Sequence, residues 1–274
     1  MSKIVIGIHG LSNKPPADVL AQGWKASIIE GLATNRHIEV ADIAFQSVYW
    51  ADVMYGEPDP KPDLYHPAAL GALKRYKDGW LDYLRAQSLD IGGDVIDSAK
   101  RLFGFHEAAD LVLKQKLPDL YRYYTEPAVC ETLRQRLRQV ILDNREKRIM
   151  LVGHSMGSIV AYDTLRLIGN EEPAVTIEHL VTIGSPLGMP HVKRRIYEEN
   201  HQVRTPSIVR QWTNLADRRD PVAVDVHLRD DFEANAAGVR VVDDLVMNDW
   251  GGIHHKSYGY LRTPEFTDLV RAFL

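Results

Sequence analysis

Short, nearly continuous hydrophobic runs alternate along the chain with longer segments in which apolar residues recur at helical spacing. Continuous runs rich in Val and Ile are typical of strands that are covered on both faces of a parallel sheet. These runs predict strands at Ile4–Ile8, Val48–Trp50, Ile149–Gly153, Leu180–Gly184 and Ile208–Leu215, with Val239–Val246 as a weaker sixth candidate. Because helical patterns such as Val129–Ile141 lie between the runs, we predict an α/β fold with a doubly wound, mostly parallel sheet.

The hydrophobic pattern changes between residues 55 and 126. Prolines open this segment, and the apolar residues that follow have helical spacing without a convincing strand. We therefore predict a core domain formed by residues 1–54 and 127–274, and a helical cap inserted at residues 55–126. Periodicity alone does not separate a cap that packs on the sheet edge from one that lines a substrate pocket. The aromatic residues available to such a pocket are Trp80, Phe103, Phe105, Tyr121, Tyr123 and Tyr124.

The composition is that of an ordinary globular protein. Hydrophobic residues make up 45% of the 274 residues, and 33 Lys plus Arg against 37 Asp plus Glu give a formal charge of −4. This balance disfavours nucleic acid and anionic membrane surfaces as partners. With Cys130 as the single cysteine, no intrachain disulfide can form. No hydrophobic run has the length of a signal-peptide core or a membrane span, so we expect a cytoplasmic protein.

The strongest chemical signal is the sequence Gly153-His154-Ser155-Met156-Gly157. It follows a predicted strand and precedes a helical segment, which is the context that a G-x-S-x-G nucleophile elbow requires. A sharp turn of this kind holds the serine in strained backbone angles, and the small residues on either side let strand and helix approach closely. The motif predicts that the Ser155 hydroxyl is exposed at the carboxyl edge of the sheet as a nucleophile.

The chain resembles the α/β-hydrolases, and most closely the bacterial lipase-like and esterase-like serine hydrolases. A second motif supports the resemblance, because the first predicted strand ends in Ile8-His9-Gly10-Leu11. This is similar to the H-G-x segment that supplies one oxyanion-hole amide in that superfamily. The resemblance implies that the backbone N–H groups of Leu11 and Met156 form the oxyanion hole, and that His9 is structural.

A serine hydroxyl is a weak nucleophile, and it needs an imidazole base that is oriented by a carboxylate. In α/β-hydrolases these residues follow in the chain order serine, acid, histidine. Asp217 and Asp220 both follow the fifth predicted strand, where the resemblance places the acid. The sequence Asp220-Pro221-Val222 is similar to the D-P-V turn of relatives, which favours Asp220, and Asp217 stays as the alternative.

The base is expected in the loop after the last predicted strand, where His254 and His255 are adjacent. Relatives often carry a tyrosine three positions after the histidine, and His255 with Tyr258 fits this pattern. Adjacent histidines also occur in metal sites, but no carboxylate or cysteine is spaced with them as a ligand set. We therefore predict Ser155, Asp220 and His255 as the catalytic residues and expect no metal or organic cofactor.

The resemblance implies a serine hydrolase that cleaves a carboxylic ester, such as a lipid or acyl ester, through a covalent acyl-enzyme. The expected partner is a small-molecule ester or acyl substrate. An acyltransferase or a thioesterase would use the same triad, and a catalytically silent scaffold that acts as a binding module is the alternative from another class.

Overall fold

The computed structural model describes residues 1–67, 74–77, 117–250 and 254–274 of the 274-residue chain. Its strands are β1 (Lys3–Ile8), β2 (Phe45–Val48), β3 (Arg148–His154), β4 (His179–Ile183), β5 (Trp212–Ala216) and β6 (Val241–Leu245). The described helices are α1 (Ala17–Arg36), α2 (Ala51–Met54), α3 (Pro118–Thr125), α4 (Pro127–Asp143), α5 (Met156–Glu171), α6 (Pro190–Asn200), α7 (Ser257–Leu261) and α8 (Pro264–Phe273), with a 3₁₀ turn at Leu228–Asp230.

The strands form one six-stranded sheet in the order β2-β1-β3-β4-β5-β6, and every described pair is parallel. The predicted α/β fold with a doubly wound sheet is confirmed. The strand order reverses between β1 and β3, because the chain first adds β2 on one side and later strands on the other. A ligand site is expected over the carboxyl ends of the strands at such a switch point.

Two hydrophobic cores cover the two faces of the sheet. One contains Leu20, Trp24 and Ile28 of α1 together with Leu261, Phe266 and Val270 from the C-terminal helices. The other contains Leu133, Leu137 and Ile141 of α4 with Ile159, Tyr162 and Leu165 of α5. Burial on both faces explains why the central strands read as continuous hydrophobic runs rather than as alternating patterns.

Two strand boundaries differ from the predictions. The predicted strand Val48–Trp50 is Phe45–Val48 in the structure, because the Trp50 N–H donates to His9 Nε2 at 3.0 Å instead of extending the ladder. The predicted strand Ile208–Leu215 begins only at Trp212, and Val209 makes an isolated bridge with Ile177 before it. Hydrophobicity continues through both segments, so the pattern marks burial better than it marks strand ends.

Most of the predicted cap insertion, including Trp80, Phe103 and Phe105, lies outside the described residues. Its last part is α3, which packs on the sheet with Leu120 and Tyr123 inside the core. The Tyr123 hydroxyl donates to Asp163 on α5 at 2.7 Å. Tyr123 therefore ties α3 to the core domain, in contrast to the pocket-facing role considered for it from the sequence.

Candidate active site

Ser155 lies at the turn between β3 and α5, at the centre of the sheet edge, where it is buried and not exposed as the motif predicted. Its backbone has φ 51° and ψ −130°, a strained combination for a residue with a side chain. The turn is possible because Gly153 and Gly157 lack side chains. A Cβ on Gly157 would lie 2.5 Å from the carbonyl oxygens of Ile8 and His9, so a larger residue would push β1 away from the elbow.

The loop after β1 lies directly beside the elbow. A Cβ on Gly10 would lie 2.4 Å from the Ser155 Cβ, which shows how closely the two segments approach. His9 orders this loop: its Nε2 accepts the Trp50 N–H, so Nδ1 carries the proton and donates to the Gly10 carbonyl at 2.9 Å. Burial, with a smaller effect of the Lys14 charge, holds the pKa of His9 well below its usual value.

The His9 hydrogen bond also sets the direction of the Leu11 amide. The Gly10–Leu11 peptide is trans, so the Leu11 N–H points opposite to the Gly10 carbonyl that His9 holds. The Met156 N–H is at the first position of α5, where helix N–H groups have no intrahelical acceptor and the helix dipole is positive. The two amides predicted as oxyanion donors therefore belong to segments that are packed against each other at Ser155.

Three side chains from three different loops form a continuous hydrogen-bonded chain. Ser155 Oγ lies 2.9 Å from His255 Nε2, and His255 Nδ1 lies 2.8 Å from Asp220 Oδ2. Because a carboxylate oxygen only accepts, Nδ1 carries the proton of the neutral ring and Nε2 is free to accept the serine proton. The Asp220 side chain is fully buried and the His255 side chain retains only 14% exposure.

Asp217 lies outside this chain. Its carboxylate accepts hydrogen bonds from the Asn248 backbone N–H at 2.6 Å and from the Arg219 guanidinium at 2.8 Å. Asp220 instead accepts the Val222 N–H on Oδ1 at 2.8 Å, which leaves Oδ2 directed at His255. The structure thus brings Asp220, and not Asp217, into contact with the imidazole.

Residues 125–257 match the family model described as the PGAP1-like alpha/beta domain, a stretch slightly shorter than half of the chain that contains Ser155, Asp220 and His255. The family that this model describes has an α/β-hydrolase-like domain. The chain has the fold of an α/β-hydrolase.

No curated protein matches the sequence of this chain significantly. A crystal structure of an uncharacterized protein from Pseudomonas aeruginosa is similar, with 12% sequence identity and a TM-score of 0.30. The similarity covers 80% of the present chain and 35% of that protein, so the present chain spans about a third of its length.

Two more histidines lie next to His255. His154 is buried, and its Nε2 donates to the His255 carbonyl at 2.7 Å, so it holds the backbone of the proposed base. Burial, and the nearby His255, lower the pKa of His154 well below the usual value. His254 turns away with φ 53°, and its Nδ1 lies 2.6 Å from the Asn248 carbonyl. Within the described part of the chain, no group of three His, Cys, Asp or Glu side chains converges as a metal-binding set.

Tyr260, which the sequence analysis did not single out, contacts the proposed acid. Its hydroxyl donates to Asp220 Oδ2 at 2.7 Å. Tyr258, the residue of the sequence pattern, instead packs its ring edge-on against Trp250 and at a tilt against Tyr65. The sequence spacing from His255 did not indicate that Tyr260 contacts Asp220. Which tyrosine reaches the aspartate depends on where the short helix α7 places each ring.

A cavity of about 430 Å³ opens beside His255. Its described lining combines apolar residues with charged ones: Leu11, Pro15, Leu20, Leu117, Pro118 and Val222 with Lys14, Asp59, Lys61, Asp63, Asp119 and Lys256. Lys14 bends back over the loop after β1, where its Nζ donates to the carbonyls of Leu11 and Ser12. Burial is the main cause that lowers the pKa of Lys14 to about 8.

Asp119 clamps the same loop from the side of α3. It accepts the Ser12 N–H at 2.7 Å on one oxygen and the Tyr55 hydroxyl at 2.7 Å on the other. Ser12 itself has a φ of 71°, a conformation that is uncommon for a residue with a side chain. The loop that carries the proposed oxyanion donor is therefore held by His9, Lys14 and Asp119 together.

None of the described helices is both long enough and apolar enough to cross a membrane.

Proposed function

We propose that this α/β-hydrolase is a serine esterase that cleaves carboxylic esters through a covalent acyl-enzyme on Ser155. The observation that carries the proposal is the unbroken hydrogen-bonded chain Ser155–His255–Asp220, which ends at a strained elbow serine. The family match supports a hydrolase in general. The ester as substrate, and the catalytic roles of the residues, are part of the proposal.

In the first half of the reaction, Ser155 Oγ attacks the ester carbonyl carbon while His255 Nε2 takes the hydroxyl proton. The carbonyl oxygen becomes an oxyanion, which the N–H groups of Leu11 and Met156 stabilise. When the tetrahedral intermediate collapses, the C–O bond to the alcohol breaks, and the imidazolium returns the proton to the leaving alkoxide. The alcohol departs, and the acyl group stays on Ser155.

In the second half, His255 removes a proton from water, and the resulting hydroxide attacks the acyl carbon. Collapse of the second oxyanion breaks the bond to Oγ, and His255 protonates the serine again. Asp220 stays ionised throughout and orients the imidazole, because its Oδ2 accepts the Nδ1 proton. Each step moves one proton through His255, so no external oxidant or cofactor enters the balance.

The decisive experiment is active-site labelling. A fluorophosphonate probe should add one adduct to the wild-type protein by intact-mass analysis, and Ser155→Ala should remove it. Ser185→Ala is the matched control. Ser185 is a buried serine in the loop after β4, its Oγ lies 2.7 Å from Ser158 Oγ, and it has no role in the proposed chemistry. Labelling that persists in Ser155→Ala, or no labelling of the wild type, would reject the proposal, and the second result would favour a silent scaffold.

The acid is tested by a matched pair of isosteric variants. Asp220→Asn should lose most of kcat, because an amide does not hold the imidazole in the required tautomer and does not stabilise its charged form. Asp217→Asn should lose stability through the Arg219 and Asn248 contacts but keep a larger share of kcat. A greater loss of kcat in Asp217→Asn would show that the other aspartate is the acid.

We further propose a small-molecule ester with both polar and apolar parts as substrate. The described cavity lining supports this, because it contains lysine and aspartate side chains as well as leucine, proline and valine. Nitrophenyl esters of graded chain length, compared with esters of polar acids, test the preference. A cytoplasmic location is also part of the proposal, and cell fractionation with an antibody tests it.

A further inference from the structure

Tyr260 is a residue of α7 that is buried in contact with Asp220. The residue has no exposed surface. Its ring lies against Gly184 at the end of β4, where an added Cβ would come within 3.0 Å of Tyr260 Cε2 and 2.8 Å of Asp220 Oδ2. The ring is therefore closely packed, and its hydroxyl contacts Asp217 and Asp220 in the loop after β5.

The direction of the Tyr260 hydroxyl proton follows from its two partners. The Asp217 backbone N–H lies 3.1 Å from the tyrosine oxygen, and a backbone N–H can only donate. The tyrosine oxygen is the acceptor of that bond, so its own proton is left for Asp220 Oδ2 at 2.7 Å. Burial, with the nearby charges of Asp220 and Asp217, raises the pKa of Tyr260 well above its usual value, so the hydroxyl keeps this proton.

Asp220 Oδ2 is the oxygen that also accepts the His255 Nδ1 proton. Its other oxygen, Oδ1, accepts backbone N–H groups from Val222 at 2.8 Å and Ala223 at 3.3 Å. The terminal torsion of an aspartate is broad and does not fix its plane without external contacts. The two backbone donors hold one oxygen, and the tyrosine holds the other.

On this geometry we propose that Tyr260 is a positioning residue, whose hydroxyl anchors Asp220 Oδ2 so that this oxygen holds the imidazole of His255 in line with Ser155. The proposal rests on the proposed function, since it assigns a role within the same proposed triad. Tyr260 shares the acceptor oxygen with His255 and so has a second effect. Its donated proton withdraws negative charge from the oxygen that faces the imidazole.

Tyr260→Phe tests the role, because it removes one oxygen and leaves the ring. We expect kcat to fall about tenfold with little change in KM, the effect of losing one hydrogen bond to a charged group. Without the tyrosine donor, Asp220 keeps more charge for the imidazolium, so the acid limb of the pH profile of kcat/KM should move to higher pH. The ¹H NMR signal of the proton between His255 and Asp220 should shift as well.

Tyr162→Phe is the matched control, because it also removes a buried tyrosine hydroxyl, one that donates to the Arg204 carbonyl at 2.8 Å. It should lower thermal stability without moving the acid limb or the NMR signal. A purely structural Tyr260 would behave in the same way. If Tyr260→Phe and Tyr162→Phe have the same acid limb and the same values of kcat and KM, the proposal is wrong.

A double-mutant cycle gives a second test. In the Asp220→Asn background, Tyr260→Phe should have little further effect on kcat, because the tyrosine acts through the carboxylate. Losses that multiply in full would overturn the role. If Tyr260→Phe does not fold, the role can be measured on the wild-type protein. Its Tyr260 hydroxyl proton should exchange slowly, and its NMR signal should shift in Asp220→Asn. A proton that does neither overturns the proposal.

The proposed function fails in a different way. Absence of labelling at Ser155 in the wild type would reject the proposed function, so the two failures are distinguishable.

Discussion

Gly184 provides a sharp test of how tightly the proposed site is packed. This glycine directly follows β4 and has φ 54°, a left-handed conformation. A Cβ at this position would lie 2.8 Å from Asp220 Oδ2 and 3.2 Å from His255 Nδ1, whereas ordinary contacts begin at 3.4 Å. Gly184→Ala therefore requires the new methyl group and the carboxylate to separate by about 0.6 Å, the difference between 3.4 and 2.8 Å.

The expected effect on activity is large for a single methyl group. A misplacement of about 1 Å in a catalytic geometry costs about 100-fold in rate, so a shift of this size should lower kcat by about 10- to 100-fold. The left-handed backbone should also lower the free energy of unfolding by about 1–2 kcal/mol, because a Cβ is disfavoured in that conformation. In a domain of this size each kcal/mol corresponds to about 2–4 °C in Tm.

Gly238→Ala is the matched control. Gly238 has φ 79°, also in the left-handed region, but a Cβ there would meet nothing within 4 Å. This variant should show the backbone cost in Tm and keep the wild-type kcat. Hydrolysis of nitrophenyl acetate together with thermal unfolding measures both quantities. Gly184→Ala with full kcat and the same Tm loss as Gly238→Ala would refute the argument that Gly184 is required by the Asp220–His255 contact.

Three other predictions concern the base, the loop after β1 and the cap. His255→Ala should abolish most turnover while His254→Ala keeps much of it, because only His255 Nε2 lies 2.9 Å from Ser155 Oγ; equal losses would contradict this. The pKa of Lys14 is lowered to about 8, so the ammonium that holds the Leu11 and Ser12 carbonyls loses its charge as the pH rises through that value. We therefore expect kcat/KM to decline over the same pH range. The decline should disappear in Lys14→Met, and its persistence there would point to another group. Trp80→Ala and Phe103→Ala should change the ratio of kcat/KM for short and long esters if residues 55–126 shape the pocket, and a lower Tm with an unchanged ratio would indicate packing only.

The sequence alone was sufficient for the fold class and for the segments that meet at the candidate site. Burial on both faces of a parallel sheet leaves a continuous hydrophobic run, so β1, β3 and β4 could be read almost residue by residue. The elbow could also be read from the sequence, because its geometry depends on neighbours within two positions of Ser155. The ends of β2 and β5 could not, since hydrogen bonding to His9 and a bridge to Ile177 end or delay the ladders there.

Contacts between distant segments required the tertiary structure. Asp217 and Asp220 are three positions apart in one loop. Only the packing of that loop against residues 248–250 and 254–260 directs Arg219 and Asn248 at Asp217 and His255 at Asp220. Tyr260 lies 40 positions from Asp220, and its partner depends on the direction of one ring in a five-residue helix. Residue type and spacing indicate which groups are chemically suitable. Which of them meet is decided by packing, because distances of 2.7 to 2.9 Å between side chains arise only when several elements bury one another around the site.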